Sequence, residues 1–367
     1  MLTEGKLGSS EVIWLLVITI SVKVFFAGPL IIFRNTGTSA WYTMLISAIF
    51  ATVGFTIIYM LLKKYPGKNI LEIYEKVLGR FLGSVFSFSL ILIMLFSASL
   101  RLREFGEVQK IYMFAKTPIS FLLVFFVIVL IFLSFLGLES IARYSKLISF
   151  LIFTAFILII ILSTQLYQVH RLFPALGYGI DKTIYHGFIR MSEYGDIIII
   201  AIIAKSLHGL AQIKKIGYLS ILISALVISI AFLAFSMTFS YYIGQEIIGP
   251  MYVMTSLVRY GLFFERVESL FMFIWSLGSI VSVTLMFYMS LFIYCHVFRI
   301  SDKKPLIVPF AIILFTLSMI PKGISSLVDI YLKYIRELGG IFYFALPLIV
   351  LIISAIFNKK EGDKVAQ

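Results

Sequence analysis

The residues able to do chemistry in this chain are charged side chains set in apolar surroundings. Lys23 lies in "SVKVFFAGPLIIFRNTG" (21–37), just ahead of Gly28-Pro29, and Glu193 and Asp196 flank Tyr194-Gly195 in "RMSEYGDIIII" (190–200). A glycine-proline pair in one apolar segment and an acid-glycine-acid cluster in another predict two broken membrane helices. A break leaves N–H groups and a positive dipole end at the start of the second half-helix, where a carboxylate fits. The carbonyls freed before the break suit a cation or an ammonium. Together they suit a zwitterion such as a free amino acid, with Phe25, Phe26 and Tyr194 as apolar walls. The chemistry is therefore binding. If the breaks are neighbours, Lys23 approaches one of the acids, Asp196 before Glu193. The alternative is a lysine that snorkels to headgroups or a water-filled cavity.

Two further charge groups need an account, because ionisable residues in spans usually face the bundle interior and pair. "LRLREFGEVQKIYMF" (100–114) sets Arg103 and Glu107 four apart on one helical face. "GLFFERVESL" (261–270) places Glu265, Arg266 and Glu268 together. Both read either as a gate or charge network near the outer mouth, or as anchors at headgroup level.

Other chemistries find no support in the sequence. The single cysteine, Cys295, sits in an apolar run and permits no intrachain disulfide. His170, His186, His208 and His296 are scattered without metal-ligand spacing. There is no HExxH, GxSxG or phosphate-binding glycine loop, so no enzyme, cofactor or metal is predicted. The N-terminus lacks the small-residue site of a cleaved signal.

The elements that must position these residues follow from composition. Of 367 residues, 61% are hydrophobic and 13% charged, against about 45–50% and about 25% in soluble domains. The excess reads as lipid-facing surface. The net charge of +13 sits in short segments between apolar runs, which points to lipid headgroups and not to nucleic acid. Eight runs free of Asp, Glu, Lys and Arg can cross a bilayer: 40–62, 81–100, 117–138, 147–169, 216–245, 269–298, 305–321 and 338–358. With the interrupted segments 9–33 and 184–209, the reading is an all-α polytopic membrane protein of ten spans. Broken helices one and six then open two five-span halves, 1–169 and 184–358. Matched interruptions in two halves point to a transporter-type binding site. An even number of spans places both termini on one side. That side carries 17 Lys and Arg against 13 opposite, which makes it cytoplasmic. A capping-box spacing at Asn69 and Glu72 predicts an amphipathic helix over 69–80, lying in the membrane interface before span three.

Several stretches carry a family resemblance in order along roughly 350 residues. They are "FAGPLIIFRNTG", "NILEIYEKVLGRFLGS", "REFGEVQKIYMFAKTPIS", "LGLESIARYSKL", "GLFFERVESLFMFIW" and "ELGGIFYFALPLIV". On these the chain resembles the B-subunits of spore-germination nutrient receptors, the endospore germination permease family of the amino acid–polyamine–organocation superfamily. The resemblance implies a ten-helix, five-plus-five inverted-repeat fold (LeuT-like) in the spore inner membrane. It also implies a small germinant, often an amino acid, and a complex with a larger membrane A-subunit and a lipoprotein C-subunit. The superfamily's ligand site lies between spans one, three, six and eight. Carried over, it implies Phe26, Ala27 and Gly28 in span one, Ile93, Phe96 and Ser97 in span three, Tyr194 and Gly195 in span six, and Ser279 and Ser282 in span eight.

The chain departs from its relatives at the first break. Where many have two glycines separated by one residue, this chain has Phe26-Ala27-Gly28-Pro29. Phe26 at the first glycine position narrows the implied seat, and Pro29 removes one N–H donor. The expected function is a germinant-sensing receptor subunit. The alternatives are a proton- or sodium-coupled amino acid transporter, which the residues alone favour, and a channel-forming subunit.

Overall fold

The computed structural model describes residues 5–259 and 267–356, so Glu265 and Arg266 lie outside the described residues. All regular elements among these residues are helical. The first interrupted segment is α1 (Ser9–Ser21), a 3-10 turn (Val22–Phe25) and α2 (Gly28–Thr36). Then come α3 (Ala40–Lys64), the short α4 (Ile70–Leu78), α5 (Arg80–Tyr112), α6 (Ile119–Leu136) and α7 (Leu138–Leu162). The second interrupted segment is α8 (Ile180–Ile189), a nine-residue 3-10 stretch (Arg190–Ile198) and α9 (Ile199–Ile202). After it stand α10 (Leu210–Thr238), α11 (Tyr241–Gly244), α12 (Pro250–Leu257), α13 (Val267–Val297) and α14 (Lys304–Met319). The last stretch alternates winding: α15 (Ile324–Ser326), a π segment (Leu327–Leu332), α16 (Lys333–Gly340), a second π segment (Ile341–Ala345) and α17 (Leu346–Ile356).

Seven helical stretches are long and apolar enough to cross a membrane: Gly28–Lys64, Arg80–Tyr112, Ile119–Leu136, Leu138–Leu166, Leu210–Thr238, Glu268–Val297 and Ile324–Ile356. The 16 residues of α14 reach about 24 Å at 1.5 Å per residue, short of the roughly 30 Å hydrocarbon core. Seven crossings thus stand on length and apolarity, and the expected total of ten needs α14 and the two broken segments as well. Large apolar side chains on the outer faces of α6 and α7, such as Phe121, Phe125, Phe132 and Phe150, are exposed, which is where lipid belongs. α1 is enclosed by α7, α10 and α13, and α5 runs along α13.

Three elements bear on the sequence reading. Span three continues through the charged stretch to Tyr112, so Arg101, Arg103, Glu104 and Glu107 are buried inside a helix. The last span begins near Ile324, well before the charge-free run at 338, and carries Arg336 into the core. α4 begins as expected, with Glu72 N donating to Asn69 Oδ1 at 2.9 Å and Asn69 N to Glu72 Oε2 at 3.3 Å. However, it ends at Leu78, and its apolar face (Ile70, Leu71, Ile73, Tyr74) is fully buried against α5 and α17. The helix is therefore packed on protein along that face. Phe81 and Leu82, just beyond it, belong to α5 and are exposed.

α3 and α10 approach closely because small residues sit between them. A Cβ added to Gly217 would stand 1.9 Å from Phe55 Cζ. Gly217→Ala should therefore cost about 1–3 kcal/mol through overpacking, read as a lower unfolding temperature of the solubilised protein. Unchanged stability would mean that the two helices are not held this close.

Candidate ligand site at two broken helices

The first break arises where Phe26 leaves helical geometry, at φ −102° and ψ −136°. Ala27 becomes the N-cap of α2, with Pro29 in its first turn, where a missing N–H removes a donor that has no intrahelical partner anyway. Both backbone groups exposed by the break have protein partners. The Phe26 carbonyl accepts from Gly249 N at 3.1 Å, and Ala27 N donates to Glu104 Oε1 at 2.9 Å. The carboxylate seat expected at the start of the half-helix is thus occupied by the protein's own Glu104. The second break is not uncoiled. It is a tight 3-10 stretch of nine residues, a run much longer than usual, of the kind found at hinges.

The two breaks meet across a cluster of seven buried charged side chains. Lys23 Nζ is 3.1 Å from Asp196 Oδ2 and 3.9 Å from Glu193 Oε2, and it also donates to the Glu193 carbonyl. Arg101 of α5 grips Asp196 bidentately at 2.8 and 2.9 Å, and its other arm donates to Ser282 Oγ of α13 at 2.8 Å. Asp196 therefore ties together spans one, three, six and eight. A second node forms around Arg336 of α16. Its Nη2 lies 3.1 Å from Glu104 Oε2 and its Nε 3.5 Å from Glu193 Oε1. Arg190 lies 3.6 Å from the same Glu193 oxygen. Each of these seven side chains is at most 8% exposed. Buried charges survive in membrane protein interiors through such pairing and hydrogen bonding.

Little space remains at the breaks. One cavity of about 10 Å³ is lined by Lys23, Val24, Gly28, Pro29, Glu193 and Arg336 among others. Another of about 30 Å³ is lined by Lys23, Ser97, Arg101, Ser192, Glu193, Arg336 and Tyr343 among others. A water needs roughly 10–15 Å³ measured this way, so these hold one or two waters and no amino acid. The conformation is occluded.

Of the residues expected here, Lys23, Gly28, Ser97 and Glu193 line these cavities, and Asp196 and Ser282 join the charge cluster. Phe26 does not line either cavity. It packs edge-on against Phe105, with ring centroids 5.9 Å apart, so its bulk does not narrow them. Tyr194 points away, donating to the Met44 carbonyl at 3.1 Å. Gly195 makes room for another side chain, since a Cβ there would stand 2.1 Å from Tyr343 Cδ2. Ile93 and Phe96 line neither cavity. Ser279 lines a separate small cavity with Phe105 and Phe126. Arg103 and Glu107 pair at 2.8 Å, and Arg103 also reaches the Ser318 carbonyl of α14 at 3.3 Å, which makes them an interhelical tie. Glu268 lies partly buried in the first turn of α13. Arg101, Glu104, Arg190 and Arg336 were missed. Each stood outside a charge-free run, although Arg101 and Glu104 lie within two helical turns of the Arg103–Glu107 pair.

An all-helical, multi-pass integral membrane protein with two broken helices meeting at a buried charge cluster has the fold of LeuT-like transporters. The structure matches Mhp1, a nucleobase-cation-symport-1 family transporter solved in a closed conformation with bromovinylhydantoin bound. The TM-score is 0.67 at 13% identity, covering 93% of this chain and 78% of that one. It also matches a mutant manganese transporter of Eremococcus coleocola, with a TM-score of 0.54 at 13% identity, over 98% and 92% of the two chains. In sequence, the family model described as "Spore germination protein" matches residues 6–327, and the chain belongs to that family. It is 22% identical over 339 residues to Spore germination protein KB of Bacillus subtilis (strain 168), covering 89% of each chain. It is 25% identical over 343 residues to Spore germination protein YndE of the same organism, covering 90% of each.

Glu104 holds both the cap of α2 and Arg336. Glu104→Gln keeps the shape but removes one of the two carboxylates that hold a buried guanidinium, so it should cost about 3–5 kcal/mol in unfolding of the solubilised protein. Glu139→Gln in the exposed Glu139–Arg143 pair is the control, with a loss of at most about 1 kcal/mol. Equal losses would show that the buried cluster does not hold the breaks together.

Proposed function

We propose that this chain is the germinant-sensing membrane subunit of a spore nutrient receptor. It binds a small nutrient, an amino acid on the family reading, where the two broken segments meet, and signals to A- and C-subunits. The observation that carries this reading is a member of the spore germination protein family whose two broken helices close on one buried cluster with room for water only. Binding a nutrient there requires the cluster to rearrange. A ligand that favours the rearranged state shifts the population of the two states by its differential affinity, and a partner subunit reads that shift. Family membership points to reception or permeation and away from catalysis.

The proposed topology has ten crossings in two five-span halves, 1–169 and 184–358, with both termini cytoplasmic in the spore inner membrane. Burial of Arg101, Arg103, Arg190 and Arg336 supports this orientation. All four were among the 13 basic residues counted on the outer side, and 9 remain there against 17. The transporter reading is favoured by one observation, the transporter fold of the structural neighbours.

Gly28 tests the site. A Cβ there would stand 2.7 Å from Arg336 Nη1 and 3.0 Å from the Lys23 carbonyl, so Gly28→Phe displaces the core of the cluster. Spores carrying it should need at least ten-fold more germinant for half-maximal germination at an unchanged subunit level. An unchanged dose response would remove the site from these breaks. Saturable, gradient-driven germinant uptake by this subunit alone in proteoliposomes would favour the transporter.

A further inference from the structure

Arg336 occupies the place a ligand would need. Its guanidinium spans the Glu104 and Glu193 carboxylates, and both small cavities at the breaks are lined by Arg336, Lys23 and Glu193. Withdrawing that one side chain joins the two spaces into one. It also strips two buried carboxylates of a counter-ion, while Lys23 and Arg101 stay engaged with Asp196. The break's own anion-binding feature is already used, since Glu104 accepts from Ala27 N. What the vacated seat lacks is therefore a cation beside Glu104, while Glu193 keeps only Arg190 at 3.6 Å and Lys23 at 3.9 Å. Among the described residues Arg336 Nη1 makes no hydrogen bond, and it lies against Gly28, where no Cβ intrudes.

The backbone around Arg336 is built to move. α16 stands between two π segments, Leu327–Leu332 and Ile341–Ala345. π-helical winding is uncommon and is found mostly at functional sites. The Arg336 carbonyl accepts from Ser192 Oγ of the 3-10 stretch, which links α16 to the second break.

We propose that Arg336 is a tethered stand-in for the cationic group of the ligand, which is recognised by Glu104 and Glu193 through a primary ammonium or a guanidinium. This rests on the breaks being the ligand site. It makes ligand charge at that end a determinant of recognition: amines and zwitterions displace Arg336, and simple carboxylates do not.

The test uses the full chain in nanodiscs and three probes at equal ionic strength: L-alaninamide, ethylguanidinium and propionate. In the unmodified protein, L-alaninamide should raise backbone hydrogen exchange across 333–345, and propionate should not. Arg336→Ala should bind both cations at least ten-fold more tightly than the parent, with propionate unchanged. If that variant does not fold, Arg336→Lys, which keeps the charge on a shorter head, should still gain several-fold for ethylguanidinium. The proposal is overturned if propionate raises exchange, or loses binding when Arg336 is removed, because Arg336 would then be the partner of a ligand carboxylate. It is also overturned if no cation gains. Gly28→Phe separates the two readings. Probe binding that it leaves unaffected places the ligand elsewhere and sinks the site itself. Propionate binding that it abolishes keeps the site and sinks only the cationic ligand.

Discussion

Asp196 accepts from Lys23 and, at both carboxylate oxygens, from Arg101 Nη2 at the point where two membrane helices lose regular winding. The rest of the core follows from keeping those charges paired away from water. An isolated charge at this depth would be expelled or neutralised. A paired and hydrogen-bonded one becomes a tie that strongly resists loss of either partner. The two breaks supply what regular helices cannot, namely free backbone groups among the charges. The Glu193 carbonyl accepts from Lys23, Ala27 N–H donates to Glu104, and Gly249 N–H donates to the Phe26 carbonyl. Unwound backbone in a membrane interior is tolerated where it is satisfied in this way.

The same arrangement holds the protein in an occluded form and, on the proposal above, lets a ligand open it. Asp196, Lys23, Arg101 and Ser282 bind spans one, three, six and eight into one frame. Arg336 comes from a different element, α16, whose flanking π segments interrupt regular hydrogen bonding. The first node holds the fold, and the second fills the space between the breaks. A subunit built this way can change the occupancy of its centre by moving one helical turn while the frame stays intact, and an attached partner can detect such a movement.

The breaks themselves were legible, because Gly28-Pro29 and Glu193-Tyr194-Gly195-Asp196 interrupt apolar runs for reasons that need no tertiary information. Lys23 and Asp196 were legible as partners once the two segments were treated as neighbours. The counter-charges were not. Arg101, Glu104 and Arg336 stand outside the charge-free runs, and Arg190 lies inside the interrupted segment 184–209, where no spacing names its partner. Only packing shows that the last span starts near Ile324. Side-chain direction was equally hidden. Tyr194 and Phe26 sit at the breaks as expected, but their rings turn toward α3 and α5, and no spacing rule reports that. The second break also reads as uncoiled in sequence, whereas its residues wind as a 3-10 helix because neighbouring helices enclose them.

The central claim is that Lys23 and Asp196 couple the two broken helices. A double-mutant cycle with Lys23→Met and Asp196→Asn, scored by unfolding of the solubilised protein, measures that coupling directly. The account predicts an interaction energy of about 1–3 kcal/mol, within the range found for contacting pairs. Additivity of the two losses within about 0.3–0.5 kcal/mol would contradict it.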